Sequence, residues 1–333
     1  MTDKPATTPD RRAQIDAFAR RHYFRWPEAL PWLAAIAAYF VFDSYHALGA
    51  QIFATILFAL SLDLLLGYAG IITLGHAAFF GVGAYTAGIM AAHGFSEPLT
   101  ELLAAAVVAA MVGFASGVVV LRTVGLTLLM QTLVVAALLQ ELANKAHFIT
   151  GGSDGLLGMT INPIFGVFRF DLYGDTAYVY CLVVLFLGWL LARNLVYSSF
   201  GRSLTGIREN VGRMHAIGAP VDRRKIILYT FSAALAGVSG GLIAQTTSLV
   251  GLGALSLGRS GELLIMLIIG GIGRLYGAFI GVPLYMIAQD RFAAIDPVYW
   301  YFWIGLFMVF LVVFARGGVL GVIERWRVGG SRE

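Results

Sequence analysis

The chain of 333 residues alternates long apolar stretches with short clusters of charge. A helix rises 1.5 Å per residue, so about 20 apolar residues cross the hydrocarbon core of a bilayer. Stretches free of Asp, Glu, Lys and Arg therefore predict ten membrane-spanning helices. Their expected bounds are 29–45, 48–66, 74–92, 101–121, 124–142, 176–193, 225–247, 260–273, 275–290 and 298–315.

Four of the charge-free runs do not fit one span each. The runs 64–96 and 226–258 hold 33 residues apiece, so each must contain a turn or an unwound segment. The runs 263–273 and 275–289 are short, and they form either one long helix or two helices that meet at GGIGRLYG. An arrangement of eight spans, in which the shortest pairs merge, is the main alternative.

The composition also indicates a protein that resides in a lipid bilayer. Hydrophobic residues make up 59% of the chain and charged residues 13%, with a mean hydropathy of +0.79. A soluble domain is typically about 25% charged. The fold class predicted is an all-α integral membrane protein with eight to ten transmembrane helices. The single cysteine, Cys181, lies in an apolar run and leaves no intrachain disulfide.

The distribution of charge predicts the orientation. The net charge is +4, and basic residues cluster at 11–25, 202–225 and 316–332. Such clusters mark cytoplasmic segments of membrane proteins rather than nucleic-acid sites. Ten alternating spans place all three clusters on one side. We therefore expect cytoplasmic tails at 1–28 and 316–333, a transmembrane domain over 29–315, an outer segment at 143–175 and a cytoplasmic loop at 194–224.

The stretch GYAGIITLGHAAFFGVGAYTAGIM, residues 67–90, combines many glycines with one histidine. Its small residues Ala77, Gly81, Ala84 and Gly88 form a stripe on one helix face, which lets two membrane helices approach closely. The earlier glycines predict a loosened segment near 70–75. Because non-helical backbone at membrane depth needs protein or a watery cavity beside it, we expect this segment to line a path.

Two short segments suggest an internal repeat. TLGH at 73–76 resembles SLGR at 256–259, and each precedes an apolar helix. The predicted topology places them toward opposite sides of the membrane, which is typical of inverted repeats in transporters. The candidate substrate-path residues are Gly70, Thr73, Gly75, His76, Phe79, Phe80, Gly83, Tyr85, Ser256 and Arg259.

His76 has two interpretations. Ionisable residues inside a membrane are rare and usually functional, so this histidine is a candidate for contact with the substrate. Alternatively, it is a histidine at a helix start that bonds a neighbouring carbonyl. The histidines are scattered and the single cysteine stands alone, so no metal site is expected.

The loop SFGRSLTGIRENVGRMHAIG carries a helical pattern. Leu204, Ile207, Val211 and Met214 recur at spacings of three and four, which predicts one short amphipathic helix that stops at Gly218. Such a helix lies on lipid headgroups or docks into a groove of a soluble partner.

This loop, continued as GRSLTGIRENVGRMHAIGAPVDRRKIILYTFSAALAGVSGGLIA, resembles the ATPase-coupling loop of ABC-importer permeases. More closely, the chain resembles the branched-chain amino-acid permease family of LivM type. The resemblance extends to residues 67–90, to LTLLMQTLVVAALLQELANKAHFITGGSDGL, to LSLGRSGELLIMLIIGGIGRLYGAFIG and to WIGLFMVFLVVFARGGVLG. It covers residues from about 50 to 322 in the same order.

The resemblance implies an importer in the bacterial inner membrane. Its partners would be a second permease subunit of LivH type, two ATPase subunits and a periplasmic binding protein. The ATPase-coupling residues that it implies are Gly201, Arg202, Arg208, Glu209, Asn210, Arg213, Ala216 and Gly218. His76 and Arg274 differ from the residues usual in the family, so urea, amides and aromatic or organic acids remain alternative substrates.

The sequence predicts no catalytic activity for this chain. The motif G-x-x-x-x-G-K-[ST] of a nucleotide-binding loop is absent, because Ile207 and Arg208 follow the glycines of GRSLTG. We therefore expect a transport subunit without cofactor, not an enzyme, with ATP bound by partner subunits. The alternative from another class is a self-sufficient channel or ion-coupled carrier, which normally has acidic residues inside its spans.

Overall fold

The computed structural model describes residues 26–42, 45–159, 161–163, 174–314 and 318. Most of the two predicted tails and part of the 143–175 segment lie outside these residues. A 3-10 turn, Trp26–Ala29, precedes the first helix. The α-helices are α1 (Leu30–Val41), α2 (His46–Asp63), α3 (Ala77–Ala92), α4 (Pro98–Val120), α5 (Leu126–Lys145), α6 (His147–Thr150), α7 (Asp175–Tyr197), α8 (Ser199–Glu209), α9 (Val211–Ala216), α10 (Val221–Thr247), α11 (Leu257–Gly270), α12 (Gly277–Ile295) and α13 (Trp300–Phe314).

Each of the ten predicted spans overlaps one of these helices. In the described chain, α2 with its continuation, α4, α5, α7 and α10 are long and apolar enough to cross a membrane. The shorter α1, α3 and α13 are also apolar. The prediction of a mostly helical, multi-pass membrane protein therefore agrees with the structure.

The turns predicted inside the long runs are present. In the run 64–96, α2 continues as a π-helical turn, Leu64–Ala69, and residues 70–76 form no helix before α3 begins. In the run 226–258, α10 ends at Thr247 and Ser248 has a φ of 52°. The GGIGRLYG segment separates α11 from α12, so the two short runs form two helices.

One element was not predicted from the sequence. The strands β1 (Leu156–Leu157) and β2 (Leu249–Val250) pair antiparallel, with Leu156 opposite Val250. The prediction of a helical fold did not include this small ladder, which joins the segment after α6 to the segment after α10. Its pairing joins residues far apart in sequence, so local periodicity does not reveal it.

Helix α10 occupies the centre of the bundle and packs against α4, α3 and α2. Small residues make these contacts possible. A side-chain carbon at Gly83 would overlap the carbonyl oxygen of Gly237, and one at Gly240 would overlap the carbonyl oxygen of Phe80. In addition, the Ser239 hydroxyl donates to the Ala54 carbonyl at 2.6 Å. Close backbone approach and interhelical hydrogen bonds are the forces that hold helices together in lipid.

Contacts between helix ends show which segments share an end of the bundle. At one end, His46 at the start of α2 contacts Asp175 at the start of α7. There too, the Tyr180 hydroxyl donates to Gln245 near the end of α10 at 3.0 Å. The β1–β2 ladder follows α10 directly and lies at the same end. Helices α8 and α9 follow the opposite end of α7, so the described parts of 143–175 and 194–224 lie at opposite ends.

Candidate functional site

Two amides of the non-helical segment after α2 donate to threonine side chains. Gly70 takes a φ of 69°, in the left-handed region that favours glycine. The amide of Leu74 donates to the Thr132 hydroxyl at 3.4 Å, and the amide of Gly75 donates to the Thr73 hydroxyl at 3.2 Å. Unwound backbone inside a membrane protein requires such partners. A π-helical turn just before the break is a feature that frequently marks functional sites.

His76 lies fully buried at the start of α3 and bonds to Ser61 of α2. The distance between His76 Nε2 and Ser61 Oγ is 2.7 Å. Because the Ser61 hydroxyl donates to the Phe58 carbonyl at 2.6 Å, we infer that His76 Nε2 is the donor. His76 Nδ1 is then an acceptor, and it has no partner in the part of the chain that the structure describes. The bond to a serine differs from the carbonyl bond considered from the sequence.

The segments TLGH and SLGR meet in the structure. The amide of Ala77, just after TLGH, donates to the Ser260 hydroxyl, just after SLGR, at 3.0 Å. The Arg259 guanidinium lies over the Phe80 ring at 5.7 Å and pairs with Glu262 at 3.4 Å. Ser256 caps α11 by accepting the Arg259 amide. The two glycine-containing turns thus support each other across the bundle.

Three of the predicted path residues are packed between helices. Gly75 lies against the carbonyl of Thr132 in α5, and Gly83 lies against Gly237 in α10. The Phe79 ring stacks edge-on against Tyr229 at 5.4 Å. These contacts favour a packing role for all three residues, and their part in a substrate path stays a prediction.

Tyr85 is placed differently, because it borders a cavity of about 240 Å³ between α3 and α5. The hydroxyls of Thr86 and Thr150 in its wall donate to backbone carbonyls, at 2.7 Å and 2.6 Å. The Tyr85 hydroxyl has no partner among the described residues. The rest of the wall is aliphatic: Val82, Ile89, Leu139, Leu142, Ala143, Ala146, Ile149 and Leu255. A larger cavity of about 420 Å³, between α1, α2, α7 and α12, contains none of the predicted path residues.

The predicted coupling helix is divided in two. Asn210 has extended backbone, and its side chain caps α9 by accepting the Arg213 amide at 2.9 Å. Leu204 and Ile207 are fully buried, whereas Val211 is exposed. Met214 in α9 is half-buried and packs against the core, so Val211 is the member of the predicted apolar stripe that faces outward. The helix stop predicted at Gly218 agrees with the end of α9, since Gly218 takes a φ of 78° just beyond it.

The candidate coupling residues fall into three groups. Gly201 is buried in α8, where a side-chain carbon would overlap the carbonyl of Val196. Arg208 is exposed along most of its side chain, and its Nη1 donates to the Gly67 carbonyl. The remaining residues are exposed at this end of the bundle: Arg202, Glu209, Asn210, Arg213, Ala216 and Gly218.

Asp63 was not among the candidates, although it is buried at the end of α2 beside Arg208. Its Oδ1 accepts the amide of Gly273, in the turn between α11 and α12, at 2.7 Å. The signal in the sequence was the carboxylate itself, since intramembrane acidic residues usually have a function. Ser61, Thr132 and Ser260 gave no such signal, because their role is to bond backbone or histidine groups from distant segments.

Comparisons with known proteins identify the family to which this chain belongs. The family model described as "Branched-chain amino acid transport system / permease component" matches residues 45–312. The chain is 25% identical over 287 residues to the high-affinity branched-chain amino acid transport system permease protein LivM of Salmonella typhimurium, covering 80% of this chain and 67% of that protein. It is 24% identical over 286 residues to LivM of Escherichia coli, with the same coverage. No solved structure gave a significant match. Since the family model covers most of the chain, from α2 into α13, this protein belongs to the family of branched-chain amino acid transport permeases.

Proposed function

We propose that this chain is a permease subunit of an ABC importer, and that it forms part of the path for branched-chain or related hydrophobic amino acids. The observation that carries the proposal is the 199–218 loop. It forms two short helices at one end of a membrane bundle, with α8 anchored by Leu204 and Ile207 and with an exposed polar surface. A surface of this kind is suited to docking a soluble partner.

The proposed assembly contains this chain, a second permease subunit, two ATPase subunits and a periplasmic binding protein. The chain itself has no nucleotide-binding motif, so ATP hydrolysis is assigned to the ATPase subunits. We place the complex in the bacterial inner membrane, with the 199–218 loop and both termini cytoplasmic. The clusters of basic residues support this orientation.

Ten crossings, arranged as an inverted repeat, are part of the proposal. The agreement of each predicted span with one helix supports the number ten. The contact between Ala77 and Ser260 supports a related role for the two turns. Single cysteines at 154 and 210 in a Cys181→Ser background provide a test, because they should label from opposite sides of the membrane.

An aliphatic substrate fits the cavity beside Tyr85 better than urea does. The wall is apolar apart from three hydroxyls, and only that of Tyr85 lacks a partner among the described residues. Buried polar groups of urea would need several hydrogen-bond partners there. We therefore propose that this cavity accepts the side chain of the amino acid during passage.

Uptake by proteoliposomes tests the function. The chain is purified with its candidate partner subunits, and import of radiolabelled leucine, valine and urea is measured with and without ATP and binding protein. We expect ATP-dependent import of leucine or valine. Import of urea alone would overturn the substrate class.

A carrier driven by an ion gradient is the second candidate, because two carboxylates are buried within the predicted spans. Asp63 is 1% exposed and Glu101 is fully buried, and Glu101 bonds Gln245 at 2.7 Å. The same vesicles distinguish the two classes. Uptake that needs a proton gradient and persists without ATPase subunits would contradict an importer.

A further inference from the structure

Resting on the proposed function, we propose that Arg208 is a positioning residue that connects the ATPase-facing helix α8 to the broken end of α2. Together with Asp63, it joins three segments at one point: the end of α8, the π-helical turn 64–69 and the turn between α11 and α12. Movement of α8 would thereby move the segment that leads into α3. Arg208 then differs in role from Arg213, with which the sequence grouped it.

The first part of this connection is the hydrogen bond from Arg208 Nη1 to the Gly67 carbonyl. Gly67 lies in the π-helical turn, where the chain leaves regular helix three residues later at Gly70. Carbonyls at such a helix end lack partners within the helix and need an outside donor. A guanidinium is a strong donor for this purpose, because its bonds are charge-assisted. Arg208 also passes close to Gly70, whose side-chain carbon would lie 3.1 Å from Arg208 Cγ.

The second part is Asp63. Its Oδ1 accepts the Gly273 amide at 2.7 Å, and its buried Oδ2 has no hydrogen-bond partner among the described residues. Asp63 is the acidic group beside Arg208, and both lie against Gly67 of the π-helical turn. Asp63 thus holds the α11–α12 turn against the same π-helical turn that Arg208 contacts.

The packing leaves little freedom at this point. A side-chain carbon at Gly67 would lie 2.5 Å from Asp63 Oδ1 and 2.5 Å from Gly273 Cα. Gly273 has a φ of 77°, and a side-chain carbon there would lie 3.4 Å from Arg208 Nη1. Closely packed groups of this kind shift together rather than deform singly.

Helix α8 is anchored in the bundle next to Arg208, so a displacement of the helix would also displace Arg208. Leu204 and Ile207 are fully buried, and Arg208 follows Ile207 directly. After Glu209 the helix ends, and α9 begins as a separate, exposed element. A force applied on the exposed residues of α8 and α9 therefore reaches Arg208 through one rigid turn.

The test compares Arg208→Ala with Arg213→Ala and with Arg223→Ala, which removes an exposed cation outside the proposed docking residues. In the reconstituted complex we measure assembly, basal ATP hydrolysis and substrate molecules imported per ATP. For Arg208→Ala we expect intact assembly and basal hydrolysis, with a loss of about tenfold in import per ATP, the scale of one charge-assisted hydrogen bond. Arg208→Lys should recover part of the loss, because an ammonium donates to a single carbonyl.

The controls give different results if the proposal is right. Arg213→Ala should lower import and substrate-stimulated hydrolysis together, and Arg223→Ala should change neither.

Amide hydrogen exchange over residues 64–76 adds a direct readout. A non-hydrolysable ATP analogue should change exchange there in the wild-type complex and not in Arg208→Ala. Asp63→Asn, which keeps an acceptor for Gly273, covers the case in which Arg208→Ala fails to assemble, and it should weaken the same response.

Two failures can be told apart. A wild-type complex without ATP-driven import overturns the proposed function. An active wild-type complex in which Arg208→Ala and Asp63→Asn retain normal import per ATP and a normal exchange response overturns this inference alone. A lower yield of assembled complex, with unchanged import per ATP by the complex that does form, would show a purely structural contact and would also overturn this inference.

Discussion

Helices α5 and α10 have nearly the same hydropathy and opposite environments. Over their most apolar stretches, 17% of α5 and 61% of α10 is buried. Helix α10 presents Gly237, Gly240 and Ser239 to its neighbours, whereas α5 directs large residues such as Met130 and Val134 outward. Apolar character therefore brings both helices into the membrane, and small residues decide which one forms the core. The reason is that lipid offers no hydrophobic gain for burying one apolar helix against another.

The strongest test of this comparison is Gly240→Leu in α10. A side-chain carbon here overlaps the Phe80 carbonyl, and backbone cannot move aside as a flexible side chain would. We expect loss of about 3 kcal/mol or more of stability, at the upper range for overpacking, and a failure to yield monodisperse protein in detergent. The matched control is Gly305→Leu in α13, where no heavy atom lies within 4 Å of the added carbon. Equal yields of both variants would show that α10 is not held by close approach.

Gly75→Leu should have the next largest effect. The added side chain meets the Thr132 carbonyl of α5, so we expect a loss of about 1–3 kcal/mol in stability together with reduced uptake. Thermal unfolding in detergent and uptake in vesicles are measured on the same preparation. Unchanged stability with abolished uptake would instead mean that Gly75 lines an open path, as its neighbourhood of glycines suggests in the sequence.

Ser239→Ala removes one interhelical hydrogen bond without changing the packing. The hydroxyl donates to Ala54 at 2.6 Å, and bonds of this kind in membranes contribute about 0.6 kcal/mol on average. We expect a loss of that size in unfolding measured in mixed micelles. Ser203→Ala is a suitable reference, since its hydroxyl bonds only a carbonyl of its own helix.

Val134→Ala in α5 should have the smallest effect. Val134 is 64% exposed, so its truncation should change the stability of the isolated chain by no more than about 0.5 kcal/mol. Co-purification with the second permease subunit sharpens the test. A loss of association at normal stability would show that this face of α5 is covered by protein rather than lipid.

The local properties of the sequence were sufficient for the membrane helices and their breaks. Charge-free length predicted ten segments, each of which overlaps a helix, and glycine predicted the unwound segment near Gly70. For the segment GGIGRLYG the sequence left one long helix or two helices open, and the structure has two. The short amphipathic pattern predicted helix in the 199–218 loop, and Gly218 predicted its end. These features depend on residues that are neighbours along the chain, so a periodicity of a few residues is enough to reveal them.

The tertiary structure alone decided where the side chains of these elements go. Arg208 and Arg213 are equivalent in the helical pattern of the sequence and both are exposed, yet Arg208 donates to the carbonyl of Gly67 in a distant segment. The bonds of His76 to Ser61 and of Ala77 to Ser260 join segments separated by 15 and 183 residues. Such contacts depend on how several helices are arranged at once. In a membrane this arrangement is selected by close backbone approach and hydrogen bonding, which hydropathy does not record.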